Sequence, residues 1–116
     1  MPFDTTGFRV LTEQEEVDLA VLRKVREAIR RPGAWKQNEI GYNGSHCLSG
    51  WFSMIEPLRE MEMMAMLEKF MRPRTSGSLD PSDARDRVVR FNDRKSTRQS
   101  TVVHLLDKAI AKIVEG

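Results

Sequence analysis

With 116 residues, 40% of them hydrophobic and 31% charged, and a formal net charge of +2, the chain has the size and balance of one folded soluble domain. No apolar run approaches the ~20 residues of a membrane span and the N-terminus carries no signal-peptide pattern, so a cytoplasmic protein without membrane contact is expected. One Cys excludes an internal disulfide, and with only two His a structural zinc site lacks ligands unless carboxylates join; no metal and no cofactor is expected.

Residues 1–11 have no period and read as an extended N-terminal arm, with Phe3, Phe8, Val10 and Leu11 available to pin it down. Thr12 followed by Glu15 is a capping box, in which hydroxyl and carboxylate satisfy reciprocal backbone N–H groups. Val17, Ala20, Val21, Val25, Ala28 and Ile29 then recur at helical spacing, and Pro32-Gly33 stops the helix, which spans about residues 13–31. Residues 32–45 are a loop whose densest turn signal is Tyr42-Asn43-Gly44-Ser45; a short hairpin there is only weakly indicated. Ser45 is placed to cap a second helix through about Ile55. Pro57, which has no N–H to give, kinks or restarts it, and a third helix runs to about Met71. Pro73, Thr75 to Ser78 and Pro81 mark a flexible, turn-rich segment. Asp80 or Ser82 caps a fourth helix that Asn92-Asp93 ends. Ser96 or Thr97 starts the last helix, where Val102, Leu105, Leu106, Ala109, Ile110, Ile113 and Val114 form an apolar stripe. The expected architecture is all-α: a compact bundle of four or five helices, with residues 12–116 as a single helical domain.

Three features exceed what folding alone asks for. Residues 71–100 carry eight basic residues (Arg72, Arg74, Arg85, Arg87, Arg90, Arg94, Lys95 and Arg98) against four Asp. That is either a solvated surface with a basic lean or a patch for phosphate backbone or an acidic protein face. Phe91 is the sole aromatic in the stretch, which disfavours single-strand binding by stacking. Six of the seven Met lie in residues 54–71: Met54, Met61, Met63, Met64, Met66 and Met71. Met fills irregular core gaps, so these describe a central core helix, or a helix with one face in the core and the other, including Met61, Met63, Met64, Met66 and Met71, against a partner, of which a homodimer is the simplest.

The third feature is a set of polar and aromatic residues at helix ends: Trp35, Gln37, His46, Cys47, Asn92 and Asp93. Cys47 at a helix start is a candidate nucleophile, since N–H groups and the dipole favour thiolate. It also needs a base. Adjacent His46 would point about 100° away, and His104 reaches it only through the fold. A small Cys between apolar neighbours is otherwise ordinary packing. Trp35, Cys47 and Asn92 or Asp93 are expected to converge at one end of the bundle, with Gln37 and His46 at the rim and Asn92 or Asp93 capping the final helix and bonding the loop at 35–46.

Trp35 with Gln37, Cys47 with Leu48 and Gly50, Phe91-Asn92-Asp93, and Val102 to Ala109 ahead of Ile110 together resemble a family of small bacterial and phage proteins defined by a domain of unknown function. The likeness covers about residues 17–114. The chain departs from it in having Trp51 and Phe52 where small residues follow the Gly, in its Met-rich stretch, and in its basic segment. The resemblance implies an all-helical fold and a setting in bacteria, phages and mobile elements; it implies no reaction. The favoured reading is a small non-enzymatic protein-interaction or regulatory module, of which an anti-CRISPR-like inhibitor of a host defence complex is one instance suggested by that setting. Two alternatives stand beside it: nucleic-acid binding through residues 72–98, and an enzyme or thiol-dependent site at Cys47.

Overall fold

The first helix, α1 (Glu13–Ile29), begins where its cap dictates. Thr12 Oγ1 accepts from Glu15 N at 3.1 Å and Glu15 Oε1 accepts from Thr12 N at 2.9 Å, and three glutamates in the first turn complement the positive end of the helix dipole. A computed structural model describes residues 10–71 and 80–116. Phe3 and Phe8 of the expected arm, and Arg72, Pro73, Arg74 and Thr75 to Ser78 of the turn-rich segment, lie outside the described residues. The buried stripe of α1 is turned slightly from the expected one: Val21, Leu22, Val25 and Ile29 face inward, while Val17 and Ala20 face out.

The loop after α1 forms the hairpin that was only weakly indicated. Strands β1 (Gly41–Tyr42) and β2 (Ser45–His46) pair antiparallel around Asn43 and Gly44. Both turn residues have positive φ, 52° and 78°, as a twist-matched two-residue turn requires, and Asn-Gly adopts that geometry more readily than any other L-residue pair. Ser45 is therefore a strand residue, and Cys47 takes the capping role expected of it. The second helix, α2 (Leu48–Ile55), follows, with Cys47 Sγ accepting from Gly50 N at 3.3 Å. At Glu56 the backbone leaves the helical region, and Pro57 opens a single 3-10 turn (Pro57–Arg59) that leads into α3 (Glu60–Glu68). Helix α4 (Pro81–Asp93) is capped by Asp80, whose Oδ1 accepts from Ser82 N at 2.8 Å. Helix α5 (Gln99–Glu115) completes the fold. It starts after Arg98 rather than at Ser96 or Thr97, because the Thr97 hydroxyl is committed backwards, donating to Phe91 O at 2.7 Å.

Five α-helices thus stand among the described residues, as a helical bundle. Leu22 and Val25 of α1, Phe52 of α2, Met63, Met64 and Leu67 of α3, Val88 of α4 and Leu106 of α5 close one core. Ion pairs staple the layers: Arg26 to Asp107 at 2.6 Å joins α1 to α5, and Arg59 to Asp18 at 2.5 Å fastens the 3-10 turn to α1. Between α3 and α4, Arg85 meets Glu60 at 2.8 Å and Arg87 meets buried Glu68 at 2.7 Å.

Candidate functional site

The segments holding the polar and aromatic residues meet where the loop after α1, the start of α2 and the end of α4 come together. Asn92, 1% exposed, lies between them. It projects from the last turn of α4, one helical turn beyond core residue Val88. Its Oδ1 accepts from Trp35 Nε1 at 2.7 Å and from Leu48 N at 3.1 Å; its Nδ2 donates to Lys36 O at 3.2 Å and to Asp93 Oδ1 at 3.0 Å. One amide therefore satisfies an indole, a free N–H in the first turn of α2 and a loop carbonyl. Asp93 Oδ1 also accepts from Asn38 N at 2.7 Å, and Gln37 Nε2 donates to Asn92 O at 2.9 Å and Arg94 O at 2.6 Å. Neither Asn92 nor Asp93 caps the final helix. Asn92 instead caps α2, a helix it does not belong to, because α4 ends against the start of α2 rather than in line with α5.

His46 is not at a rim. It is 6% exposed, its Nδ1 sits 3.2 Å from Ile40 O, and its ring meets Trp51 edge to face at a centroid distance of 4.8 Å. The backbone around it forms a small mixed ladder: His46 N donates to Ala34 O at 2.9 Å, Lys36 N to His46 O at 3.2 Å, and Cys47 N to Ile40 O at 3.1 Å. Trp51 Nε1 closes the same ladder on Ala34 O at 2.7 Å. Gly50 makes this approach possible, since a Cβ there would stand 2.4 Å from Ile40 O.

Cys47, 7% exposed, lines a cavity of about 150 Å³ with Asn38, Ile40, Ser49, Arg85 and Asp93 among its walls. Burial pushes the thiol above its ordinary range; the N–H groups of Gly50 and Ser49 pull it down, and the Asp93 carboxylate adds to the rise. Burial is the larger effect, so the helix start does not generate a thiolate here. Asp93 is held by Asn38 and Asn92, and Arg85 by Glu60 and by Ser49 Oγ at 3.1 Å. His104 lies elsewhere, exposed on α5 beside a groove lined by Arg30, Gln99 and Asp107. Among the described residues no cluster of three or more His, Cys, Asp or Glu side chains is placed to hold a metal ion, and no helix is long and apolar enough to cross a membrane.

The surface residues divide differently from the sequence pattern. Met63 and Met64 are fully buried and Met66 and Met71 pack partly against the core, so four of the five expected interface methionines are occupied inside the chain. Among the exposed apolar groups, which also include Val10, Val17, Ile40 and Val114, Met54 at 64%, Leu58 at 92% and Met61 at 46% follow one another at the end of α2, on the 3-10 turn and at the start of α3. Leu58, an apolar residue that the sequence groups with the third helix, lies instead on the 3-10 turn that Pro57 opens, outside the helical period of α3. Arg85 and Arg87 are consumed by Glu60 and Glu68, while Arg90, Arg94, Lys95 and Arg98 are exposed.

These features define a small helical protein whose loops are locked by a side-chain amide and whose thiol is sequestered. The model of a family of unknown function (DUF6197) matches residues 14–112, and the chain belongs to that family. No curated protein and no solved structure matches it.

Proposed function

We propose that the protein is a non-enzymatic interaction module that meets a partner protein through the apolar turn of Met54, Leu58 and Met61. The observation that carries this reading is the exposure of Leu58, at 92% the most exposed large apolar side chain among the described residues, with Met54 in the last turn of α2 and Met61 in the first turn of α3 exposed on either side of it in sequence. Burying a Leu or Met is worth about 1.5–3 kcal/mol each, and these three side chains leave that stabilisation to an interface. Some flanking charges are already paired within the chain: Arg59 with Asp18 and Glu62, and Glu60 with Arg85. A partner that covers the apolar centre meets these as ion pairs rather than as lone charges. A second copy of the chain is one candidate partner; a component of a host defence complex, suggested by the resemblance to phage proteins, is another.

Co-purification from the protein's own host, comparing the wild type with Leu58→Asp, tests the reading. The wild type is expected to retain a partner, either a second copy or another protein, that the variant loses while its melting temperature is unchanged. An identical set of bound proteins for both would contradict it. The thiol site is the weaker reading, because burial raises the Cys47 pKa and the polar groups around its cavity are already engaged with one another.

A further inference from the structure

We propose that the end of the bundle where α1 closes and α5 opens is a contact surface for the phosphate backbone of duplex nucleic acid, independent of the apolar turn. Its cations come from three elements: Arg31 after α1, Arg90 in the last turn of α4, and Arg94, Lys95 and Arg98 in the α4–α5 connection. Side-chain amides fix the backbone that carries them. Gln99 Nε2 donates to Ile29 O at 2.6 Å and Arg31 O at 2.7 Å, holding the start of α5 against the end of α1. Gln37 Nε2 donates to Arg94 O at 2.6 Å, and Thr97 Oγ1 ties the connection back to Phe91.

All five cations are exposed, and among the described residues none has a carboxylate within ion-pair reach. Arg85 and Arg87 of the same basic stretch are neutralised by Glu60 and Glu68, so the field comes from this end rather than from the stretch as a whole. The first turn of α5 contains no acidic residue, so nothing there offsets the positive end of its dipole. Four arginines on a braced backbone suit phosphates, which the planar guanidinium grips in pairs of hydrogen bonds. A duplex fits better than a single strand. Trp35 and Phe91, the aromatics of the elements that bear these cations and brace them, are half-buried against the core, with the Trp35 N–H held by Asn92, and neither stands free as a stacking platform.

Fluorescence anisotropy of a short labelled DNA duplex, titrated with the full chain, tests this. Binding is expected at low salt, weakening between about 50 and 200 mM with a log–log slope of about −4 if most of the five cations meet phosphates. The triple variant Arg94→Glu, Lys95→Glu, Arg98→Glu should lose about tenfold or more in affinity at low salt. A control with the same net charge, Arg23→Glu, Lys24→Glu, Lys112→Glu, alters exposed cations further along α1 and α5 and should lose much less. Four results would overturn the proposal: no anisotropy change at low salt, equal losses in the two triple variants, tighter binding of a single strand of the same sequence, or capture by anionic vesicles with the duplex inert.

Discussion

Asn92 concentrates more of the structure in one side chain than any other residue of the site. Its replacement by Ala leaves the Trp35 indole, the Leu48 N–H and the Lys36 carbonyl without their partner. Each buried orphan costs about 1–3 kcal/mol, and solvent or relaxation recovers part of that, so Asn92→Ala should lower stability by about 3 kcal/mol in urea unfolding. Asn92→Asp keeps both acceptor contacts but sets a charge beside Asp93. Its penalty should shrink as pH falls and the introduced carboxyl protonates, and a penalty that is flat with pH would contradict the geometry. Cys47 has a simpler role. Cys47→Ser supplies a better cap and should be near neutral, whereas Cys47→Ala should cost about 1 kcal/mol. Its buried thiol, raised above the ordinary range, should label slowly near neutral pH, with the rate climbing only as pH rises beyond that range. The unfolded thiol ionises at lower pH than the folded one, so this group's contribution to stability is full below the unfolded pKa and is lost as pH rises from there through the higher folded value.

At the scale of elements, the joint between the hairpin and α2 depends on Gly50. Ala is the better helix former by about 1 kcal/mol, yet a Cβ at this position meets the Ile40 carbonyl, which is backbone and cannot swing away. Gly50→Ala should therefore destabilise by about 1–3 kcal/mol, read as a lower urea midpoint, and a stabilised variant would show the close approach to be wrong. Asp80 provides the acid-side counterpart to the thiol. Its carboxyl is held below the usual range by the Ser82 N–H, so the stability it gives is present above its unfolded pKa and is lost as pH falls through the lower folded value. Elements whose signals are local were legible in the sequence: the Thr12 and Glu15 box, the Asp80 cap and the stripe of α5 all act within a turn or two. The start of α2 was legible only in outline. The meeting of Trp35, Cys47 and Asn92 was expected, but no spacing rule shows that Asn92 Oδ1 takes the Leu48 N–H, 44 residues away, beside the Cys47 cap, or the indole N–H of Trp35, 57 residues before it.

For the whole molecule, composition predicted a bundle with one core, and the excess of Met did not reveal which side chains face out. Met61 and Met63 are two residues apart on α3, so one faces solvent and the other the core. The 3-10 turn at Pro57 then resets the helical phase and brings Leu58 outward. The basic stretch misled in a similar way, because partners for Arg85 and Arg87 come from α3 and Arg31 joins the remaining cations only through the fold. The proposed function accordingly rests on surfaces that the locked loops leave free, the apolar turn first. Mild peroxide oxidation read by mass spectrometry at each methionine tests that assignment most directly. In the purified, dilute chain Met54 and Met61 should oxidise readily while Met63 and Met64 resist. In extract from the protein's own host, Met54 and Met61 should become protected, and Leu58→Asp should restore their oxidation. Equal oxidation of Met54 and Met61 in dilute solution and in host extract would contradict the account.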